Sequence, residues 1–174
     1  IKDRVPTTWS SNLAHSVVIV SAVRTPMGRA GKGSLARVRP EDLAATAIRG
    51  ALAKAGIDGS LIEDVILGCA MPEGPQGMNV ARIAALRSGL PIEVPAATVN
   101  RFCSSGLQAI AQVAQAIIAG DIDIGLAGGV ESMSQVPMGG FKIAPHPAII
   151  REWPEVYMPM GNTAELVAAK YGIS

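Results

Sequence analysis

Aromatic side chains are scarce: Phe, Trp and Tyr together make up 3% of the 174 residues. That excludes a core built on large rings. Glycine, with 19 residues, and alanine are abundant, so close backbone packing is expected instead. Charged residues are also few, at 17%, with a formal net charge of +1. No run of Lys and Arg stands out, so a nucleic-acid partner is not indicated. The densest basic stretch holds Arg29, Lys32, Arg37 and Arg39 among Gly31, Gly33 and Pro40, and reads as a solvated loop. Cysteine occurs twice, as Cys69 and Cys103. That excludes the disulfide framework of a small secreted domain and points to a reducing, cytoplasmic setting. No His/Cys cluster has metal-ligand spacing, and neither a Walker-type loop nor G-x-G-x-x-G is present. The longest uncharged stretch, 102–120, contains Ser104, Ser105, Gln108, Gln112 and Gln115. It is too polar for a transmembrane segment and is expected to be a helix buried inside protein. No signal peptide is visible, and the polar, irregular opening from Ile1 to Asn12 suggests a trimmed leader or a cut end.

What is present is an alternation of strands and helices. Residues 16–22 (SVVIVSA) form a short β-branched run that reads as a buried first strand. Pro40-Glu41-Asp42 opens a helix, Leu43, Ala47, Ile48 and Leu52 keep helical spacing, and Gly56 closes it. Strands follow at 64–69, 97–100 and 122–126. Between them, Asn79 is placed to cap a helix ending at Gly89, and a long helix runs from about Ser104 to Ala119. The Gly125–Gly129 segment is glycine-rich without phosphate-loop spacing, so close backbone packing is its expected meaning. This order argues for an α/β fold with a mostly parallel sheet. From Gln135 to Gly161, eight Pro and Gly residues spaced through the stretch predict a long irregular insertion, as in a functional lid. A last helix is expected to begin near Asn162 or Thr163, with Glu165 in capping-box position.

Cys103 is the candidate for chemistry. It lies between a strand ending at Asn100 and a helix beginning near Ser104. A helix start offers free N–H groups and partial positive charge. That is a setting in which a thiol reacts as its thiolate. The same N–H groups can receive an oxyanion. Ser104, Ser105 and Gly106 would leave room for a substrate. The bland reading of Cys103, a small buried core residue, stays open at this point. Cys69 ends a strand with no helix immediately after it and reads as structural. His15, in the polar tail, and His146, between Pro145 and Pro147, have no spacing that pairs them with Cys103.

These residues resemble the thiolase family. Val99 to Ala109 (VNRFCSSGLQA) is similar to the thiolase active-cysteine motif, and Gly128 to Ser134 (GGVESMS) to the segment that follows it. Arg24-Thr25-Pro26 with Gly28 resembles the motif after that family's first strand, and Met160 to Glu165 (MGNTAE) its loop-domain segment. The resemblance covers nearly all of the chain after Ser16 and is greatest to 3-ketoacyl-CoA thiolases. It implies a layered thiolase-like fold, with helices on both faces of a mostly parallel sheet. The implied organisation is an irregular tail over 1–15, an N-terminal domain core over 16–134, and the truncated start of an inserted loop domain over 135–174.

The resemblance further implies cleavage of a 3-ketoacyl-CoA by CoA through an acyl-enzyme on Cys103. Coenzyme A would be a co-substrate, with no permanently bound cofactor and no metal. Met160 matches a methionine near the family's acyl pocket, and Pro159 before it leans towards a degradative enzyme. The activating histidine and second cysteine of the family belong to a C-terminal half that is not in these residues, so they are expected to be inactive alone. A homodimer or a dimer of dimers is implied, with peroxisome or mitochondrial matrix as eukaryotic alternatives to the cytoplasm. The rival readings are a ketoacyl-synthase-like condensing enzyme, which takes carrier-bound substrates, and a non-catalytic dimerisation fragment.

Overall fold

The structure, a computed structural model, describes residues 16–174. Two compact units divide between Phe141 and Lys142. The expected loop-domain boundary at 134/135 falls a few residues earlier. Gln135 Nε2 donates to Val38 O, and Val136 is buried, both within the first unit.

In the first unit, helix α1 spans Pro40–Ala55 and strand β1 spans Asp64–Gly68. Helix α2 (Val80–Ser88), strand β2 (Ala96–Val99), helix α3 (Ser105–Ala119) and strand β3 (Gly125–Gly129) follow. The three strands form one parallel sheet in the order β2-β1-β3. Parallel neighbours require crossovers, and α2 and α3 supply them. Val65, Leu67 and Cys69 point to one face, where they join Ala44, Ile48, Val80, Ala81 and Ala84 of α1 and α2 in the core. Gly68, Gly125 and Gly129 turn the other face towards α3. Helices therefore cover both faces of this sheet, as expected.

α1 begins and ends where its local signals put it. Pro40 sits in the first turn with Glu41 and Asp42 behind it, and Gly56 takes the left-handed conformation that ends the helix.

Four expectations need correction. Residues 16–22 do not form a strand, and Val18, Ile19 and Val20 are exposed. Strand structure exists only as a ladder, and this run pairs with no other strand among the described residues. The strand expected at 122–126 lies instead at Gly125–Gly129. There α3 approaches so closely that a Cβ at Gly125 would stand 2.7 Å from Val113 Cγ1. Close approach, not β-propensity, selects the glycines. Upstream, the Glu63 carboxylate accepts N–H bonds from Asp123 and Ile124, which holds that stretch in a bend and keeps the carboxyl below its usual range. Asn79 precedes α2 but does not cap it. Its side chain donates to Ala96 O and accepts from Thr98 Oγ1, fastening α2 to β2.

The fourth correction concerns α3. Only Ser105, Ala109 and Val113 are buried, so the helix packs by one face, while Leu107, Ile110 and Ile118 are exposed. By length and composition alone, Phe102–Ala119 is also apolar enough to cross a membrane, against the sequence expectation. It rests on the sheet by one face, at Gly68, Gly125 and Gly129.

In the second unit, the expected irregular stretch contains helix α4 (Pro147–Glu152) and a 3-10 turn at Pro154–Tyr157. Helix α5 spans Met160–Tyr171, starting before Asn162 and without a side-chain cap. Prolines at the first turn open α4 and the 3-10 turn, because a first-turn residue needs no N–H partner.

Candidate active site

β1 ends at Gly68, and Cys69 follows, turned into the core. A Cβ on Gly68 would lie 2.2 Å from the carbonyl carbon of Ser105 and 2.5 Å from Gly106 N. Only a glycine lets the start of α3 rest on the sheet at this point. The turn that carries Cys103, residues 100–104, therefore stands directly above the end of β1.

The turn is tightly bonded. Phe102 adopts φ +47°, a left-handed conformation that costs a non-glycine residue on the order of 1 kcal/mol. Asn100 Oδ1 accepts from Phe102 N at 2.9 Å, an Asx turn across the strained residue. Ser105 Oγ accepts from Arg101 N at 2.8 Å and donates to Phe102 O at 2.5 Å. Arg101 Nη1 donates to Gln108 Oε1 at 2.6 Å along the helix. Ser105 is buried, so it does not leave space for a substrate as the sequence suggested; it pins the turn. Cys103 is exposed and free at the apex. Ser105 N bonds to Phe102 O and Gln108 N to Ser104 O. Among the described residues, the N–H groups of Gly106 and Leu107 engage no backbone acceptor, so they stay open at the helix start.

Beneath the turn lies a polar network that the sequence did not reveal. Gln76 is completely buried. Its amide donates to Met71 O and to Glu131 Oε1, both at 2.7 Å, and its oxygen accepts from Ser132 N. Every polar atom of this buried side chain is satisfied. Glu131 also accepts from Ala70 N at 2.6 Å and Met71 N at 3.2 Å, and from the Cys69 thiol at 3.8 Å. Ala70 O in turn accepts from Asn100 Nδ2 at 3.0 Å. Among the sequence signals, only the ESMS segment around Glu131 pointed here; the partners of Glu131 are 55 to 62 residues away in the chain.

The two cysteines are thus opposites. Both are free thiols, Cys69 buried and Cys103 exposed. Burial pushes the Cys69 thiol up to about 12, and the Glu131 carboxylate adds to the rise. A thiol whose folded value is raised stabilises the fold below its unfolded value. That stabilisation is lost as pH climbs through the folded value. Stability is therefore expected to decline between about 8.5 and about 12 through Cys69. Cys69→Ala should flatten that decline in denaturant titrations at neutral and alkaline pH. An unchanged alkaline slope would exclude Cys69 as its source.

Met160 is the exposed first residue of α5 in the second unit. His146 Nδ1 accepts from Ala148 N at the start of α4, a capping role. His15 lies outside the described residues. Among the described residues, no group of three His, Cys, Asp or Glu side chains could hold a metal.

Residues 17–174 match the model of the thiolase N-terminal domain. The chain is 55% identical over 157 residues to a 3-ketoacyl-CoA thiolase of Bacillus subtilis, covering 90% of this chain and 40% of that protein. It is 45% identical over 161 residues to a 3-ketoacyl-CoA thiolase of Pectobacterium carotovorum, covering 92% of this chain and 41% of that protein. A 3-ketoacyl-CoA thiolase of Shigella sonnei is 44% identical over 161 residues, with the same coverages of 92% and 41%. The chain thus spans about 40% of the length of these curated relatives. An exposed cysteine on a strained strand-to-helix turn, set on a parallel sheet whose sequence matches that domain over 17–174, leads to one conclusion: the chain belongs to the thiolase family.

Proposed function

We propose that this chain supplies the nucleophilic part of a 3-ketoacyl-CoA thiolase, with Cys103 as the nucleophile. The observation that carries the reading is the exposed thiol of Cys103, held at the apex of a turn bonded on both sides. Attack of its thiolate on the 3-keto carbon forms a C–S bond and a tetrahedral alkoxide. Collapse breaks the bond between C2 and C3, acetyl-CoA leaves as its enolate and takes a proton, and the shortened acyl group stays on sulfur. The thiolate of a second CoA then attacks the thioester, releases the shortened acyl-CoA and returns Cys103 as thiolate. The open N–H groups at the α3 start suit a developing oxyanion. Met160 is assigned to the acyl pocket by its match to the family motif. The proton transfers belong to the histidine and second cysteine of the family's C-terminal half, so the 174 residues alone are proposed not to turn over. Robust thiolysis by them alone would refute that part. The complete enzyme is proposed to work as a homodimer or dimer of dimers in the cytoplasm, with CoA as co-substrate.

Incubating the enzyme that carries this segment with an acyl-CoA, followed by peptide mass spectrometry, is expected to find the acyl group on the Cys103 peptide. An acyl group on Cys69, or on neither cysteine, would sink the proposal. Acylation by carrier-bound thioesters in place of CoA thioesters would point to a condensing enzyme.

A further inference from the structure

We propose that Asn100 is a positioning residue for the Cys103 sulfur, and that Glu131 anchors Asn100 through the backbone of Ala70. This rests on the reading of Cys103 as the nucleophile. The side chain of Asn100 is divided between two tasks. Its oxygen accepts from Phe102 N and holds the left-handed residue immediately before Cys103. Its amide donates to Ala70 O, just past the end of β1. The N–H of the same Ala70 donates to Glu131 Oε2 at 2.6 Å. Glu131 is itself held by Met71 N and by the buried amide of Gln76.

One alanine residue thus has its carbonyl bonded to the nucleophile turn and its N–H bonded to the loop after β3. The chain of contacts runs from Gln76 through Glu131, Ala70 and Asn100 to Phe102 and the apex at Cys103. The strain at Phe102 explains why such a brace is needed. A left-handed non-glycine residue persists only where its surroundings over-determine it. Without the Asx acceptor and the Ala70 tether, the turn can relax towards ordinary backbone conformations, and the sulfur moves with it. Misplacement of a reacting group by about 1 Å costs roughly 10²-fold in rate while leaving substrate binding intact. Asn100 is exposed and contributes nothing to the hydrophobic core, so its loss should act on geometry rather than on global stability.

Steady-state kinetics on the complete enzyme test this. Asn100→Ala is expected to lower kcat by roughly 10²-fold with KM and melting temperature unchanged. Asn100→Asp keeps the acceptor for Phe102 N but loses the donor to Ala70 O, so it should recover part of the loss. Combining Asn100→Ala with Glu131→Gln should give a loss smaller than the product of the two single losses, since both act through one peptide unit. An unchanged kcat in Asn100→Ala, or a kcat that falls only in step with melting temperature, overturns the positioning role. Fully multiplicative losses in the double variant overturn the link to Glu131. If the wild-type enzyme shows no thiolysis and no acyl group on Cys103, the underlying reading fails instead. An active wild type with an unaffected Asn100→Ala removes the inference alone.

Discussion

Cys103→Ser is expected to reduce thiolysis by about 10⁴-fold or more, with KM little changed. On the proposed reading, sulfur at this position forms and breaks a thioester, and a thiolate does both readily near neutral pH. A serine hydroxyl is nearly isosteric but stays protonated there and is a poor match for exchange with the CoA thiol. The substitution should leave the fold alone, because the side chain is exposed and, among the described residues, its sulfur makes no side-chain hydrogen bond. Circular dichroism and melting temperature should therefore match the parent. Mass spectrometry should find no acyl group on the peptide. Activity close to that of the parent would show that Cys103 is not the nucleophile. A loss accompanied by unfolding would instead reveal a structural thiol, the bland alternative the sequence left open.

Gly68→Ala is expected to be the most disruptive small substitution in the first unit. The new methyl would run into the Ser105–Gly106 peptide unit, at 2.2 Å from Ser105 C and 2.5 Å from both Ser105 O and Gly106 N. These atoms belong to the first turn of a helix and cannot swing aside as a side chain would. Either β1 or the start of α3 must shift. Overpacking of a close-packed interior typically costs about 1–3 kcal/mol, and a clash with rigid backbone belongs at the upper end or beyond it. Because the displaced turn carries Cys103, acylation should fall as well, even under conditions where the protein stays folded. Urea titration compared with the parent checks the first effect. Gly161→Ala provides a control, since a Cβ there meets nothing within 4 Å. A Gly68→Ala variant as stable as the parent would mean that α3 does not rest on β1 as described.

The local signals in the sequence were sufficient wherever a neighbour in the chain supplies the physics. Pro40 and Gly56 bound α1 because proline fits a helical first turn and glycine accepts the left-handed closing conformation. The strand-to-helix junction that carries Cys103 was legible because β2 and α3 follow one another across only five residues, 100–104. Cys69 was legible as its opposite, since no helix start follows it. The tertiary structure decided whatever depends on a distant partner. Whether 16–22 pairs, and that β3 sits on glycines at 125–129, follow from what lies beside each segment in space. Ser105 reads in the sequence as a small residue that makes room, and in the fold as the buried hydroxyl that closes the turn. Asn100, Ala70 and Glu131 stand 30 and 61 residues apart in successive steps, a separation that no motif spacing reports. A hydrogen bond acts over about 3 Å of space whatever the distance along the chain, so only folding could bring that brace beneath Cys103.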